Sequence, residues 1–342
     1  MVSRIRQLIG PRHNGIGEQE LPVEGALPPF EGATGWLNSD PLTPAGLRGR
    51  VVLVQFWTYT CINWLRTEPY VRAWARRYMD HELVVIGVHT PEFRFEHQLE
   101  NVRRAVQAMD IPYPVATDNG YRVWQAFGNH YWPALYFVDA EGRIRHHRFG
   151  EGDYDRSEMV IKQLLAEAGA EDLPYGLASV EGAGPEAAAD WNDLGSPETY
   201  LGYDQADGLD SSSDLAPDRR QVYAASSHLS LNRWALSGDW TVGSDAALLN
   251  EPGGRIAYQF HARDLHLVMG PAQDGAPVPF RVLLDGSRAG EDHGSDVDAA
   301  GEGTLAEQRM YQLVRQRMPI VDRRFEIEFL KRGAEAFVFT FG

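Results

Sequence analysis

The sequence predicts an α/β domain followed by an all-β domain, and three observations support this fold class. Strands and helices alternate over residues 21–170. A stretch rich in Ala, Gly, Pro, Glu and Asp follows at residues 171–195 and is typical of a linker. Over residues 196–342, short runs of alternating apolar and polar residues are separated by Gly, Pro and Asp, which indicates a jelly-roll-like β-sandwich. Residues 1–20 are predicted to form an N-terminal arm.

The α/β domain is predicted to start with two strands joined by a helix. Val51–Trp57 and Leu83–His89 are apolar, β-branched runs, as expected of strands that are buried on both faces. Between them, residues 62–79 carry apolar side chains at helical spacing, and Pro69 is expected to kink that helix. A second helix is predicted over residues 93–109.

The later elements are shorter. They are predicted as an extended piece at 113–116, a helix at 121–127, a hairpin of strands at 134–139 and 143–149, and a helix at 157–168. This order predicts a mostly parallel central sheet, with an antiparallel hairpin at one edge and helices on both faces.

Composition and charge exclude several classes of partner. The chain has 342 residues, a formal net charge of −16 and 23% charged residues. Nucleic acids and anionic membranes bind clustered Lys and Arg, so neither is expected as a partner. No apolar run approaches the ~20 residues of a membrane helix. We therefore expect a cytoplasmic protein, or an extracytoplasmic one if a signal or membrane segment was removed. The oligomeric state is not predicted.

Cys61 is the one cysteine of the chain, and it is the first candidate catalytic residue. It lies between the predicted strand Val51–Trp57 and the helix that follows. A helix N-terminus favours a thiolate through its unpaired N–H groups and its dipole, so we expect an activated thiol. Trp64 occupies the position that the second thiol of a C-x-x-C motif would have. An external thiol would therefore have to complete any redox cycle.

Pro133 is the second candidate. It opens a predicted strand and follows Trp132, and an aromatic–proline pair at a strand start favours a cis peptide bond. Residues 56–63 (FWTYTCIN), 85–93 (VIGVHTPEF) and 129–134 (NHYWPA) resemble the thioredoxin-like domains of the TlpA/DipZ type, within the redoxin (AhpC/TSA-like) superfamily.

The second half resembles the β-sandwich that follows the thioredoxin domain in DipZ-type proteins. The matching segments are 196–203 (SPETYLGY), 234–240 (WALSGDW), 261–265 and 339–342. The resemblance implies a thioredoxin fold in which Cys61 is the attacking cysteine and Pro133 the cis-proline. It also implies an oxidoreductase that acts on disulfides. Trp64 departs from the dithiol pattern, which puts dithiol reduction of protein disulfides in question.

Three chemistries fit a single thiol. Cys61 could form a mixed disulfide and be regenerated by an external thiol such as glutathione or a thioredoxin. It could be a one-Cys, antioxidant peroxidase whose sulfenic acid is reduced by a small thiol. The peroxidase pattern Pro-x-x-x-Thr-x-x-Cys is half present, with Thr58 in place and Val54 instead of proline. The third alternative is a redox-inactive binding module. No bound cofactor is expected.

Other residues near the two candidates have predicted roles. Glu92 and His89 follow a strand that should end beside Cys61, so they are candidates for proton transfer. Tyr59, Trp64 and Trp132 are candidates for an aromatic substrate-binding rim.

The β-sandwich could bind a glycan or a protein. Trp191, Trp234 and Trp240 are the candidate side chains for stacking on sugar rings, as in carbohydrate-binding sandwiches. Asp296, Asp298 and Glu307 match a calcium-binding loop only in part, since its fifth position is Ala300, and no metal site is assigned.

Overall fold

A computed structural model of the protein describes residues 20–210, 215–226, 228–272 and 275–342. Residues 1–19 of the predicted N-terminal arm lie outside the described residues. Within the described ranges, no helix is long and apolar enough to cross a membrane.

The N-terminal domain consists of one mixed sheet with helices on both sides. Its strands are β1 (Gly25–Ala26), β2 (Gly35–Leu37), β3 (Val51–Trp57), β4 (Leu83–His89), β5 (Val115–Thr117), β6 (Ala134–Val138) and β7 (Arg143–Phe149). Its α-helices are α1 (Ile62–Tyr78), α2 (Leu99–Ala108), α3 (Arg122–Ala126) and α4 (Tyr154–Glu167). The strand order is β1-β7-β6-β3-β4-β5-β2.

The prediction of a mostly parallel sheet is wrong. Among the described strands of this sheet, only the β3–β4 and β4–β5 pairs are parallel. Strand β6 runs antiparallel to β3 because the short helix α3 does not carry the chain back along the sheet. The start of β6 is consequently held at the carboxyl end of β3, where Ala134 pairs with Phe56.

The predicted helix over 93–109 begins later than expected. Arg94–His97 form a 3₁₀ turn, and α2 starts at Leu99. The carboxylate of Glu96 accepts the backbone N–H groups of Glu92 (2.6 Å) and Phe93 (3.0 Å), which holds this turn in place.

The second domain is built from antiparallel strands, which confirms the predicted fold class. They are β8 (Thr199–Tyr200), β9 (Arg220–Tyr223), β10 (Trp234–Val242), β11 (Ala247–Leu249), β12 (Arg255–Phe260), β13 (Asp264–Pro271), β14 (Val278–Leu284), β15 (Ser287–Arg288), β16 (Glu302–Leu305), β17 (Arg309–Arg315), β18 (Arg323–Phe329) and β19 (Ala334–Phe341). They form one curled sheet with the central order β15-β14-β18-β12-β10-β11-β19-β13-β17.

Strand β10 links the two layers of this domain. Its first part, up to Ser237, pairs with β12, and its second part, from Trp240, pairs with β11. Gly238 lies at the change of partner with a φ of 97°, in the left-handed region that glycine adopts without strain. A Cβ at this position would meet the Cα of Gly254 at 2.9 Å, so the close approach also requires glycine.

The two domains share a hydrophobic core. Phe337 of β19 is fully buried and packs against Phe93 and Phe95, with ring centroids 5.2 and 4.9 Å apart. Arg94 forms salt bridges to Asp245 and Glu335 across the same interface. The second domain is therefore packed beside the segment that follows β4, close to Cys61.

Candidate active site around Cys61

Cys61 lies at the carboxyl end of β3 and caps the N-terminus of α1. Its carbonyl accepts the N–H of Leu65 at 3.0 Å, and its side chain is half-buried. The sulfur lies 3.9 Å from the carbonyl oxygen of Trp132, and the Trp132–Pro133 peptide bond is cis. The structure thus brings together the two main candidates of the sequence, Cys61 and Pro133, although they are distant in the chain.

The surroundings of Cys61 oppose the predicted activation of its thiol. Burial raises the pKa of Cys61, and the nearby carboxylates of Glu92 and Glu198 raise it further. The backbone N–H groups of Trp64 and Asn63, at the start of α1, act in the opposite direction but do not prevail. The surroundings of Cys61 therefore favour the neutral thiol over the thiolate.

Two carboxylates and one tyrosine lie near Cys61, at the edge of the sheet where β3 and β4 end. The hydroxyl of Tyr200 donates to Glu92 Oε1 at 2.5 Å and lies 3.4 Å from Glu198 Oε2. Glu92 and Tyr200 are half-buried, while Glu198 is exposed. Desolvation and the neighbouring carboxylate of Glu198 raise the pKa of Glu92 to about 8.

Glu198 and Tyr200 belong to the second domain, and the sequence did not single them out as site residues. Tyr200 is fixed by the pairing of β8 with β19, where it lies opposite Val338. The sequence feature that could have identified them is the segment 196–203, which resembles its counterpart in DipZ-type proteins.

His89 does not have the environment of a proton-transfer group. It is fully buried, with its ring centroid 4.8 Å from that of Trp57 and 5.7 Å from that of Tyr59. Neither ring nitrogen has a hydrogen-bond partner among the described residues. Burial lowers the pKa of His89 to about 3, so the ring is neutral and packs as an aromatic side chain.

The predicted aromatic rim is largely part of the core. Trp64 is fully buried and stacks on Trp57 with centroids 4.4 Å apart, and Tyr59 is only 5% exposed. The Tyr59 ring packs against His89 and Phe95, with ring centroids 5.7 and 6.1 Å apart. Trp132 remains half-buried and packs against Trp124 at 4.4 Å.

Comparison with known proteins agrees with this architecture. The model of the redoxin family matches residues 23–163. The model of the thioredoxin-like C-terminal domain matches residues 196–342. The chain is thus similar to a redoxin domain over its first half and to a thioredoxin-like C-terminal domain over its second half.

Curated proteins are similar to the same parts of the chain. Protein DipZ of Mycobacterium tuberculosis is 37% identical over 277 residues, which are 78% of this chain and 39% of DipZ. The chain therefore spans about two fifths of the length of that relative. The thiol-disulfide oxidoreductase YkuV of Bacillus subtilis is 27% identical over 41% of this chain and 95% of its own length. A solution structure of a thioredoxin-like protein in the oxidized form is 28% identical and covers 42% of this chain and 96% of its own, with a TM-score of 0.39.

Two further carboxylates of the redoxin domain were missed by the sequence analysis. Glu96 is fully buried and accepts the hydroxyl of Thr60 at 2.7 Å, which ties the turn before Cys61 to the backbone of Glu92. Glu68 of α1 is also buried, and its Oε2 lies 2.6 Å from the hydroxyl of Tyr113. Desolvation raises the pKa of Glu68 to about 8.

The candidate sugar-binding side chains of the second domain are mostly unavailable. Trp234 and Trp240 are fully buried, because their strand β10 faces the core, whereas Trp191 is 50% exposed. The carboxylate of Asp296, in the partial calcium pattern, accepts hydrogen bonds from the Arg309 guanidinium and the backbone N–H of Gln312. The described residues hold no group of three or more His, Cys, Asp or Glu side chains that could bind a metal ion.

Proposed function

We propose that this protein is a thiol–disulfide oxidoreductase that works with one cysteine and an external thiol. The observation that carries the proposal is the position of Cys61, half-buried at a helix N-terminus and 3.9 Å from the carbonyl beside Pro133. The relationship to a thiol-disulfide oxidoreductase of Bacillus subtilis supports it.

The reaction would proceed in two exchanges. The thiolate of Cys61 attacks one sulfur of a substrate disulfide, a Cys61–S–S–R bond forms, and the second substrate sulfur leaves as a thiolate that takes up a proton. A thiolate from an external thiol, such as glutathione or a thioredoxin, then attacks the mixed disulfide. This step returns Cys61 as a thiolate, and the substrate fragment R and the external thiol leave joined by a disulfide.

Each neighbouring group has a role in this scheme. The N–H groups of Asn63 and Trp64 stabilise the thiolate that forms during the exchange. Glu92, with a pKa of about 8, can take the proton of the Cys61 thiol and return it to the leaving thiolate. The backbone next to Pro133 would hold an extended substrate beside the sulfur.

The test is the turnover of a glutathione mixed disulfide by the protein and by its Cys61→Ser variant, with glutathione as reductant. We expect the variant to lose turnover, and mass spectrometry of the unaltered protein to show glutathione attached at Cys61. Circular dichroism of both proteins controls for folding. Unchanged turnover in Cys61→Ser would overturn the proposal.

A peroxidase has less support in the structure. The side chain of Thr58, which matches the peroxidase pattern, is fully buried and forms no hydrogen bond with the Cys61 sulfur among the described residues. The raised pKa of Cys61 also lowers the fraction of thiolate that a peroxide could oxidise at neutral pH.

A further inference from the structure

Two acidic side chains from two different domains meet near Cys61. Glu92 follows β4 in the redoxin domain, and Glu198 precedes β8 in the second domain. Both approach the hydroxyl of Tyr200, at 2.5 and 3.4 Å. A hydroxyl has one proton to donate, so it can satisfy only one of the two carboxylates at a time.

The two carboxylates have no cationic partner in the part of the chain that the structure describes. Among the described residues, neither Glu92 nor Glu198 forms a salt bridge to Arg, Lys or His, although carboxylates elsewhere at the domain interface do. Glu335, for example, pairs with Arg94, and Glu151 pairs with Arg66. The ionisable groups that interact with Glu92 or Glu198 include Tyr200, Tyr121, Glu96 and Cys61, and none of these carries a positive charge.

We propose that Glu92 and Glu198 select disulfide substrates that carry a positive charge close to the disulfide bond, such as aminoalkyl disulfides or disulfides of basic peptides. This inference rests on the proposed function and specifies its substrate class. Glu92 follows β4 at the same sheet edge at which β3 leads to Cys61, and Tyr200 joins Glu92 to Glu198, so a substrate sulfur at Cys61 has both carboxylates nearby.

A positive charge at this position has two effects. It is attracted to the unpaired carboxylates, which strengthens binding. It also offsets the repulsion between these carboxylates and the thiolate of Cys61, so the attacking species forms more easily. An anionic substrate has the opposite effect on both counts. The exchange itself is unchanged: a Cys61–S–S–R bond forms, the substrate S–S bond breaks, and the leaving thiolate takes up a proton.

The experiment compares three small symmetric disulfides that differ in charge. They are cystamine (cationic), bis(2-hydroxyethyl) disulfide (neutral) and 3,3′-dithiodipropionate (anionic). The rate of mixed-disulfide formation at Cys61 is measured by mass spectrometry at pH 8.5 and low ionic strength, above the raised pKa of Glu92 of about 8, so that this carboxylate is ionised. Each rate is divided by that of an uncharged reference thiol, N-acetylcysteine methyl ester, to remove intrinsic differences in disulfide reactivity.

We expect the normalised rates to follow the order cationic, neutral, anionic. In the Glu198→Gln variant, the ratio of the cationic to the anionic rate should fall about fivefold, which is the size expected for one charge near a surface site. Glu92→Gln should lower the same ratio. The matched control is Asp40→Asn, which removes an exposed carboxylate just beyond β2, near the amino end of β5 and opposite the edge that holds Cys61. This control should leave the ratio within about 1.5-fold of that of the unaltered protein. It thereby distinguishes the effect of the two carboxylates near Cys61 from the effect of the overall charge of −16.

The outcomes distinguish the inference from the proposed function. If all three disulfides react with equal normalised rates, or if both glutamine variants keep the ratio, the charge selection is wrong and the oxidoreductase proposal stands. If none of the disulfides reacts at Cys61, both proposals are overturned.

Discussion

Replacing Trp64 with cysteine would restore the C-x-x-C spacing and remove a central core side chain in one step. Trp64 is fully buried, and its indole stacks on Trp57 with centroids 4.4 Å apart. The substitution therefore tests whether the tryptophan has taken over the space of a second thiol as a packing residue. It also tests whether Cys61 can react with a neighbour one helical turn away.

The expected cost follows from the burial of the ring. Truncating a buried Trp or Phe to Ala costs ~3–5 kcal/mol in free energy of unfolding. Cysteine retains a small apolar side chain, so about 3 kcal/mol is expected for the reduced Trp64→Cys variant. A disulfide between positions 61 and 64 would close a very short loop and return ~2 kcal/mol by the chain-entropy relation. The oxidised variant should thus lie about 1 kcal/mol below the unaltered protein.

The assay is urea unfolding with and without a reductant, followed by tryptophan fluorescence and circular dichroism. Trp64→Ser is the matched control, because it leaves a similar cavity and cannot form a disulfide. Mass spectrometry after mild oxidation should show the loss of two hydrogen atoms in Trp64→Cys alone. The packing argument would be refuted if reduced Trp64→Cys were within about 1 kcal/mol of the unaltered protein, since the lost ring contacts require a larger effect.

Three further predictions concern buried groups. Because burial and the adjacent carboxylates raise the pKa of the Cys61 thiol, iodoacetamide should alkylate Cys61 more slowly than free cysteine at pH 7.5. The alkylation rate should still increase with pH above pH 9. A rate that levels off near pH 8 would contradict this prediction. Burial raises the pKa of Glu68 to about 8 in the folded state, so the stability associated with its protonated form is lost as pH rises from about 4.5 to 8. From pH 5 to 8, the melting temperature of Glu68→Gln should therefore fall less than that of the unaltered protein. Parallel curves of melting temperature against pH would refute this reasoning. Phe337→Ala should lower the free energy of unfolding by ~3–5 kcal/mol because the ring is buried between the domains, and a loss under 1 kcal/mol in urea titrations would show that the interface is not a shared core.

The sequence was sufficient for the parts of the site that depend on local pattern. The apolar run of β3 and the helical periodicity after Cys61 predict a strand, a turn and a helix, and the structure has them at Val51–Trp57 and Ile62–Tyr78. The same periodicity contained information that we did not use. Trp64 precedes Glu68 and Val71 by four and seven residues, a spacing that places all three on one helix face, and that face is buried. Its interpretation as a rim residue came from the position of the missing thiol and not from this pattern.

Contacts between the domains could not be predicted from the same patterns. Glu92 and Tyr200 are 108 positions apart in the chain, and no periodicity relates them. The pKa of Cys61 illustrates the consequence: the helix N-terminus is visible in the sequence, whereas Glu198, which opposes it, is brought to the sulfur only by the packing of the second domain. The direction of a pKa shift depends on all the charges around the group, including those from distant segments.

The chemistry at Cys61 therefore depends on how the second domain is held. Tyr200 pairs with Val338 of β19, and the neighbouring residue Phe337 packs into the core shared with Phe93 and Phe95. The residues that place Tyr200 beside Glu92 are thus the same ones that join the two domains. Loosening this interface would expose the sulfur to water and move a carboxylate away from it, which reduces both the burial and the repulsion that raise the thiol pKa. A variant such as Phe337→Ala should therefore have a less stable interface and a more reactive Cys61.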